Sequence, residues 1–183
     1  QDHAPIAPWL AQKTGMIAIG GPVWSREGVG YGNALLSRYP VDRVRRWDLS
    51  VGRHEPRGAL DVELTICGRT VHVLNTHLGL WPRERPQQAD RLLELLSLSR
   101  RDLTILMGDL NEWHGWGKSL RGLRRVFGSP AAPVTFPARW PVLALDRIWI
   151  FPAQALLTVE AHDTPRSRLA SDHLPVKADI YLP

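Results

Sequence analysis

Apolar residues recur along the chain in short runs that glycine and proline interrupt, and this pattern predicts many short strands. The clearest is a hairpin of residues 59–66 and 70–76, which are rich in β-branched residues and meet at Gly68. The other predicted strands are residues 16–24, two segments of YGNALLSRYPVDRVRRWDL that turn near Pro40, residues 103–107, LDRIWIF, ALLTVEAH and PVKADIYL.

Three segments have the spacing of helices instead. Residues 7–15 end at a glycine, RERPQQADRLLELLSLS repeats its leucines at helical intervals, and GKSLRGLRRVFG has one apolar and one arginine-rich side. Strands outnumber helices, and the helices lie between groups of strands. The pattern predicts one domain over residues 1–183, of layered α/β or α+β class, with sheet packed on sheet and helices outside.

Composition adds limits to this picture. A single cysteine, Cys67, excludes an internal disulfide framework and a thiolate metal cage. No apolar run approaches the roughly 18 residues of a membrane helix, and no signal peptide opens the sequence. We therefore expect a cytoplasmic protein without stable membrane insertion.

The positive charge is unusual in its makeup. The net charge is +5, and only three of the 23 basic residues are lysines. Arginine suits phosphate because its planar fork donates two hydrogen bonds at once. Genomic base composition explains the same bias equally well, so charge alone gives only a leaning towards anionic partners.

Four polar clusters interrupt the ends of apolar strands. They are Asn75 and His77 in LNTHLGL, Asp109 and Asn111 in LMGDLNEW, Asp146 in LDRIWI, and Asp172 and His173 in SDHLPV. Taken singly, each has a plain structural explanation, such as a surface histidine or an Asp-Asn turn. Together they place two histidines, three aspartates and two asparagines at strand edges.

This combination favours phosphoester chemistry. A buried Asp146 needs a donating partner, and of the adjacent Asp172 and His173 one can turn to Asp146 while the other meets a metal or ligand. Magnesium prefers carboxylates, water and phosphate oxygens, whereas a histidine held by a carboxylate suits a general base. Zinc is less favoured because the histidines are not closely spaced.

The motifs YGNALLSRYPV, EPRGAL, LNTHLGL, LMGDLNEW, TFPARWPVLALDRIWI and SDHLPVKADI resemble, in this order, those of the endonuclease/exonuclease/phosphatase (DNase I-like) superfamily. They extend from about residue 30 to the end of the chain, and the resemblance is closest to bacterial stand-alone members. It implies a four-layer αββα sandwich of two mainly antiparallel sheets, with the site at one end of them. It also implies a Mg²⁺ cofactor, with Mn²⁺ as the second choice.

The resemblance implies a role for each matching residue. His77 contacts the scissile phosphate, Asp109 and Asn111 orient the attacking water, and His173 is the catalytic histidine with Asp146 as its partner. Asp172 and Asp109 are the metal-side carboxylates. Arg57 and Asn33 are phosphate-binding candidates, and a salt bridge with Glu55 and a turn amide are their structural alternatives.

The family pattern also begins with a strand, a helix and a second strand ending in Gln-Glu, whose glutamate ligates magnesium. No segment of these 183 residues matches it, so we expect either a fragment or a chain that lost this piece. Its loss would weaken the metal site and expose sheet edges through which the chain could form a homo-oligomer.

Two functions remain open. The first is an Mg-dependent phosphoesterase acting on nucleic acid, phospholipid head groups or inositol phosphates, with phosphodiesters favoured. The second is a catalytically impaired phosphate- or nucleic-acid-binding scaffold of the same fold. Loop tryptophans amid arginines suit stacked bases and favour a nuclease over a lipid phosphodiesterase, although such tryptophans also cover core edges. These residues are Trp113, Trp116, Trp140, Arg83, Arg85, Arg121, Arg124, Arg125 and Arg139.

Overall fold

The structure is a computed structural model that describes residues 6–26, 29–99, 102–114 and 117–182. It confirms the predicted alternation of short strands and helices. The strands in these ranges are β1 (Ile17–Arg26), β2 (Val29–Ser37), β3 (Val41–Asp48), β4 (Gly58–Ile66), β5 (Arg69–His77), β6 (Leu103–Asp109), β7 (Asp146–Phe151), β8 (Leu156–Ala161) and β9 (Val176–Ile180). The helices are α1 (Ile6–Thr14), α2 (Arg85–Ser99), α3 (Lys118–Phe127), the short α4 (Ser167–Ala170) and a 3₁₀ turn at Ala153–Ala155.

Strands β3 to β7 form a five-stranded sheet in sequence order. Strands β5 and β6 are parallel, because α2 returns the chain across one face, and the other neighbours are antiparallel. The register pairs His77 with Asp109, and Asp109 with Asp146. Three of the predicted polar residues therefore lie in one row at the end of the sheet.

One face of this sheet is covered by α2 and α3. Leu92 and Leu96 of α2, with Leu123 and Phe127 of α3, belong to the same buried cluster as Leu74 of β5. The leucine spacing predicted these faces, since residues three and four apart share one side of a helix. This cluster fixes the ends of β5 and β6, where the polar row begins.

The opposite face is covered by the remaining strands. Ile19 and Leu35 from the β1–β2 hairpin pack with Leu60 and Val62 of β4, and β8–β9 lies against β7. Helix α1 contacts β1 and β2. The predicted αββα layering is thus confirmed. Within the described residues the second layer consists of two separate two-stranded sheets, and self-association through their edges stays a prediction.

None of the helices in the described ranges combines the length and the apolar character that a membrane crossing requires.

Candidate active site

The row at the sheet end is the centre of the site. Nε2 of His77 lies 3.5 Å from Oδ2 of Asp109, and Nε2 of His173 lies 3.9 Å from the same oxygen. His173 comes from the loop between α4 and β9. The structure therefore brings together residues that are far apart in the sequence, with one carboxylate between two imidazoles.

Asp146 holds His173 in one orientation. Its Oδ2 lies 2.8 Å from Nδ1 of His173 and also accepts a hydrogen bond from the hydroxyl of Thr135. Because an ionised carboxylate only accepts, the neutral ring carries its hydrogen on Nδ1 and its lone pair on Nε2, on the side of Asp109. The ring of Phe136 packs on the imidazole, with centroids 4.8 Å apart. This is the arrangement of a general base held by a carboxylate.

The turn after β6 fixes Asp109. The backbone N–H of Asn111 donates to Oδ1 of Asp109 at 2.8 Å, which leaves Oδ2 facing the histidines. Asn111 is buried with a φ of 50°, a conformation that asparagine tolerates better than most residues. Its side-chain amide donates to the carbonyl of Leu78 at 2.8 Å. Asn111 thereby ties the ends of β5 and β6 together.

Arg57 and Asn33 have protein partners. The guanidinium of Arg57 is buried and donates from Nη2 to Glu55 at 2.8 Å and from Nη1 to the hydroxyl of Tyr31 at 3.2 Å. The amide of Asn33 donates to the carbonyl of Gly58 at 2.8 Å. The contact between Arg57 and Glu55 is the structural alternative named for Arg57, whereas Asn33 lies in strand β2 rather than in a turn. The roles of both residues in phosphate binding stay predictions.

Tyr31 is a site residue that the sequence analysis missed. Its hydroxyl lies 3.3 Å from Nδ1 of His77 as well as within reach of Arg57. A signal existed, because Tyr31 precedes Asn33 by two positions on β2 and so lies on the same face of that strand.

A divalent cation fits part of this site. Among the described residues, side-chain ligand atoms of Asp109, Asp146 and His173 lie within 4.8 Å of one another. Two carboxylates offer the hard oxygen ligands that magnesium prefers, and water and substrate oxygens complete such sites. Asp172, the other predicted metal carboxylate, is exposed, accepts a hydrogen bond from Ser171 and lies outside this group.

The two histidines have opposite electrostatic surroundings. Burial lowers the pKa of His77 below its ordinary 6.5, and the positive charge of Arg57 lowers it further, although the carboxylate of Asp109 acts in the opposite direction. Partial burial also disfavours protonation of His173, but the hydrogen bond to Asp146 and the nearby carboxylates raise its pKa above 6.5. Of the two rings, His77 is therefore the weaker base and His173 the stronger one.

We expect His77 and His173 to titrate on opposite sides of pH 6.5 in the metal-free chain. The His173 ring stays protonated to a higher pH, so any rate that needs it as a base rises with pH through a midpoint above 6.5. An NMR titration of the histidine resonances measures both values. Asp146→Asn removes a negative charge and should lower only the His173 midpoint markedly, whereas a reversed order of the two histidines would contradict this electrostatic picture.

The loops after β5, after β6 and before β7, which form the rim of the site, contain exposed aromatic residues. Trp113 and Trp140 are 46% and 78% exposed, and Trp81, which the sequence analysis did not select, is 61% exposed and stacks on His54. Trp116 lies outside the described residues. Arg85 differs from expectation, because it is buried against Glu112 and the carbonyl of Leu80. It supports the loops rather than facing a substrate.

The sequence profile of the endonuclease/exonuclease/phosphatase family matches residues 2–173, and the chain belongs to this family. A relative, the uncharacterized protein YbhP of Escherichia coli K12, is 36% identical over 163 residues, which covers 83% of this chain and 63% of YbhP. The chain thus spans less than two thirds of the length of this relative.

Solved structures show the same fold. An endonuclease/exonuclease/phosphatase from Bacteroides vulgatus superposes with a TM-score of 0.78 at 19% identity, over 94% of this chain and 78% of that one. A mutant beta toxin from Staphylococcus aureus with bound magnesium ions gives a TM-score of 0.69 at 17% identity, over 90% of this chain and 77% of the toxin.

Proposed function

We propose that this chain hydrolyses phosphoester bonds, phosphodiesters in particular, with Mg²⁺ as cofactor and Mn²⁺ as an alternative. The observation that carries the proposal is the position of Asp109 between His77 and His173, 3.5 and 3.9 Å from their Nε2 atoms. Membership of a family whose description includes nucleases and phosphatases supports it.

Each of the site residues has a distinct task in such a reaction. His173, held by Asp146, accepts the proton of the attacking water at Nε2. Asp109 orients that water, while Asn111 keeps the carboxylate in place through its backbone N–H. His77 contacts a phosphate oxygen from the other side of Asp109. A general base of this kind contributes about 10²- to 10⁴-fold in rate.

The carboxylates of Asp109 and Asp146 would hold the cation. When bound, magnesium neutralises phosphate charge and stabilises the charge that develops during hydrolysis. We assign it to the carboxylates rather than to His173 because oxygen is its preferred ligand and because Nε2 of His173 is needed as a base. The beta toxin of the same fold contains bound magnesium ions, which supports magnesium as the cation.

Nucleic acid is the substrate class that the rim favours. Trp113 and Trp140 expose large aromatic surfaces, and the chain has a net charge of +5 that attracts a polyanion. A lipid phosphodiesterase is the second candidate, since exposed tryptophans also suit a membrane surface.

The test is a panel of phosphoesters incubated with the chain in MgCl₂ or in EDTA. We expect hydrolysis of bis(p-nitrophenyl) phosphate and of single-stranded DNA with magnesium, slower release from p-nitrophenyl phosphate, and no turnover in EDTA. Returning excess magnesium after chelation should restore the rate.

Equal rates in EDTA would refute metal dependence. An oligonucleotide that binds the chain with full salt dependence but is never cleaved would establish the alternative, a catalytically impaired binding scaffold. Vesicles containing sphingomyelin are included as a parallel substrate. Their hydrolysis would distinguish a lipid phosphodiesterase from a nuclease.

A further inference from the structure

Tyr31 reaches the active site from the second layer of the fold. It lies on β2, which packs over β4 and β5, and its side chain is 40% exposed. Its hydroxyl meets two site residues at once, Nη1 of Arg57 at 3.2 Å and Nδ1 of His77 at 3.3 Å. The hydroxyl therefore connects the guanidinium of Arg57 to the Nδ1 edge of the His77 ring.

The direction of these hydrogen bonds follows from the donors. A guanidinium only donates, so the oxygen of Tyr31 accepts the hydrogen from Arg57. Glu55 holds the other end of the guanidinium at 2.8 Å, which keeps Nη1 aimed at the hydroxyl. With its oxygen accepting, the hydroxyl directs its single hydrogen to Nδ1 of His77. Nδ1 is then the acceptor nitrogen of the ring.

The contact at Nε2 of His77 favours the same placement of the ring hydrogen. Nε2 of His77 lies 3.5 Å from the carboxylate oxygen of Asp109. A hydrogen on Nε2 is attracted by that oxygen, whereas a lone pair there would be repelled. The reversed tautomer would place a lone pair against the carboxylate, and His77 would no longer accept the hydrogen of the Tyr31 hydroxyl. Both neighbours of His77 thus select the same tautomer.

We infer that Tyr31 is a positioning residue that holds His77 in the tautomer with its hydrogen on Nε2. This inference rests on the proposed function for its consequence, which is that His77 offers an N–H to a phosphate oxygen. His173 has the opposite tautomer, with its hydrogen on Nδ1 towards Asp146. The site thereby presents one imidazole as a donor and the other as an acceptor.

The test is Tyr31→Phe in the full chain, with Tyr39→Phe as the matched control. Tyr39 follows the far end of β2, and its backbone N–H and carbonyl bond to Ser37. Nitrogen-15 NMR of the histidine rings, at a pH where both are neutral, reports which nitrogen of His77 carries the hydrogen. Initial rates on bis(p-nitrophenyl) phosphate with magnesium give kcat.

We expect the unmodified chain and Tyr39→Phe to show the hydrogen of His77 on Nε2. In Tyr31→Phe only Asp109 still favours this tautomer, so its share should fall, and kcat should be lower by roughly three- to tenfold, the usual effect of one hydrogen bond. The His173 resonances should not change. A purely structural role would leave the tautomer of His77 as it was.

Two results would overturn the inference: a hydrogen on Nδ1 of His77 in the unmodified chain, or an unchanged Nε2–H tautomer in Tyr31→Phe. If the chain cleaves no phosphoester at all, the proposed function fails, and the two ring spectra still decide whether Tyr31 sets the tautomer.

Discussion

Replacing His173 with alanine is expected to lower kcat for phosphodiester hydrolysis by about 10²- to 10⁴-fold, the usual contribution of a general base. The reason is geometric: Asp146 occupies Nδ1, so Nε2 is the nitrogen available to accept a proton. The His173 side chain is 24% exposed and packs on Phe136, so thermal unfolding of the variant is measured alongside, to separate a loss of catalysis from a loss of stability. Initial rates with saturating substrate and magnesium measure the effect.

His162→Ala is the matched control for this loss. The side chain of His162 is exposed, and its backbone N–H bonds to the carbonyl of Pro175, a contact that alanine keeps. We expect its kcat to remain within twofold of the unmodified chain. If His173→Ala retained more than a tenth of the original kcat, a general-base role for His173 would be refuted.

Asp146→Asn changes the group that orients His173 and, in the proposed site, one of the two carboxylates that would hold magnesium. The amide keeps the size of the carboxylate, but it can donate to Nδ1 of His173 and so stabilise the wrong tautomer. Thr135, which donates to the same oxygen, would lose a charged acceptor. We therefore expect this variant to lose much of the activity that His173→Ala loses, although the base itself is present.

The fold was predictable because its signals are local and repeated. Leucines at helical spacing predicted α2, and the β-branched run around Gly68 predicted the β4–β5 hairpin. The short α4 was missed because four residues hold too few periodic positions. The division of the second layer into two sheets depends on which distant edges pair, and no local pattern reports that.

The sequence predicted four residues of the site but missed Tyr31. His77, Asp109, Asp146 and His173 were found because each is a polar residue at the end of an apolar strand, and the strand register then aligns three of them. The tyrosine hydroxyl above His77 was not found, because its partners come from elements 26 and 46 residues away along the chain.

The sequence pattern also did not predict the buried polar contacts of the sheet. His72 is fully buried, with Nε2 2.8 Å from the carboxylate of Asp61, and Trp47 donates to the same carboxylate at 3.0 Å. The three residues belong to three different strands, so only the register of the sheet pairs them. A single strand that contains one of them shows no sign of its partners.

Gly108 precedes the central aspartate because the backbone leaves no room for a side chain there. Its φ is 139°, in the region that favours glycine. A Cβ built at this position would lie 1.7 Å from the carbonyl oxygen of Thr76, its partner on β5. The obstacle is backbone, so no rotamer change relieves it. Relief requires β5 and β6 to separate at the level of His77 and Asp109.

We therefore expect Gly108→Ala to lower the free energy of unfolding by about 4 kcal/mol, combining backbone strain with overpacking against a neighbouring strand. Urea unfolding followed by circular dichroism measures this loss. A domain of this size has roughly 5 to 15 kcal/mol in total, so much of the stability would be removed. The folded fraction should also lose activity, since Asp109 would move away from His77.

Gly52→Ala is a comparison variant that has a milder conformational cost and no clash. Gly52 also has a positive φ, of 60°, but a Cβ there meets no atom within 4 Å. This variant carries the conformational cost without the clash, and we expect a loss of about 1 to 2 kcal/mol with full activity. The excess loss in Gly108→Ala then combines the contact with the Thr76 carbonyl and the larger strain of a φ of 139°. Equal losses in the two variants would show that the strands can separate freely there, and that the position of Asp109 does not depend on their close approach.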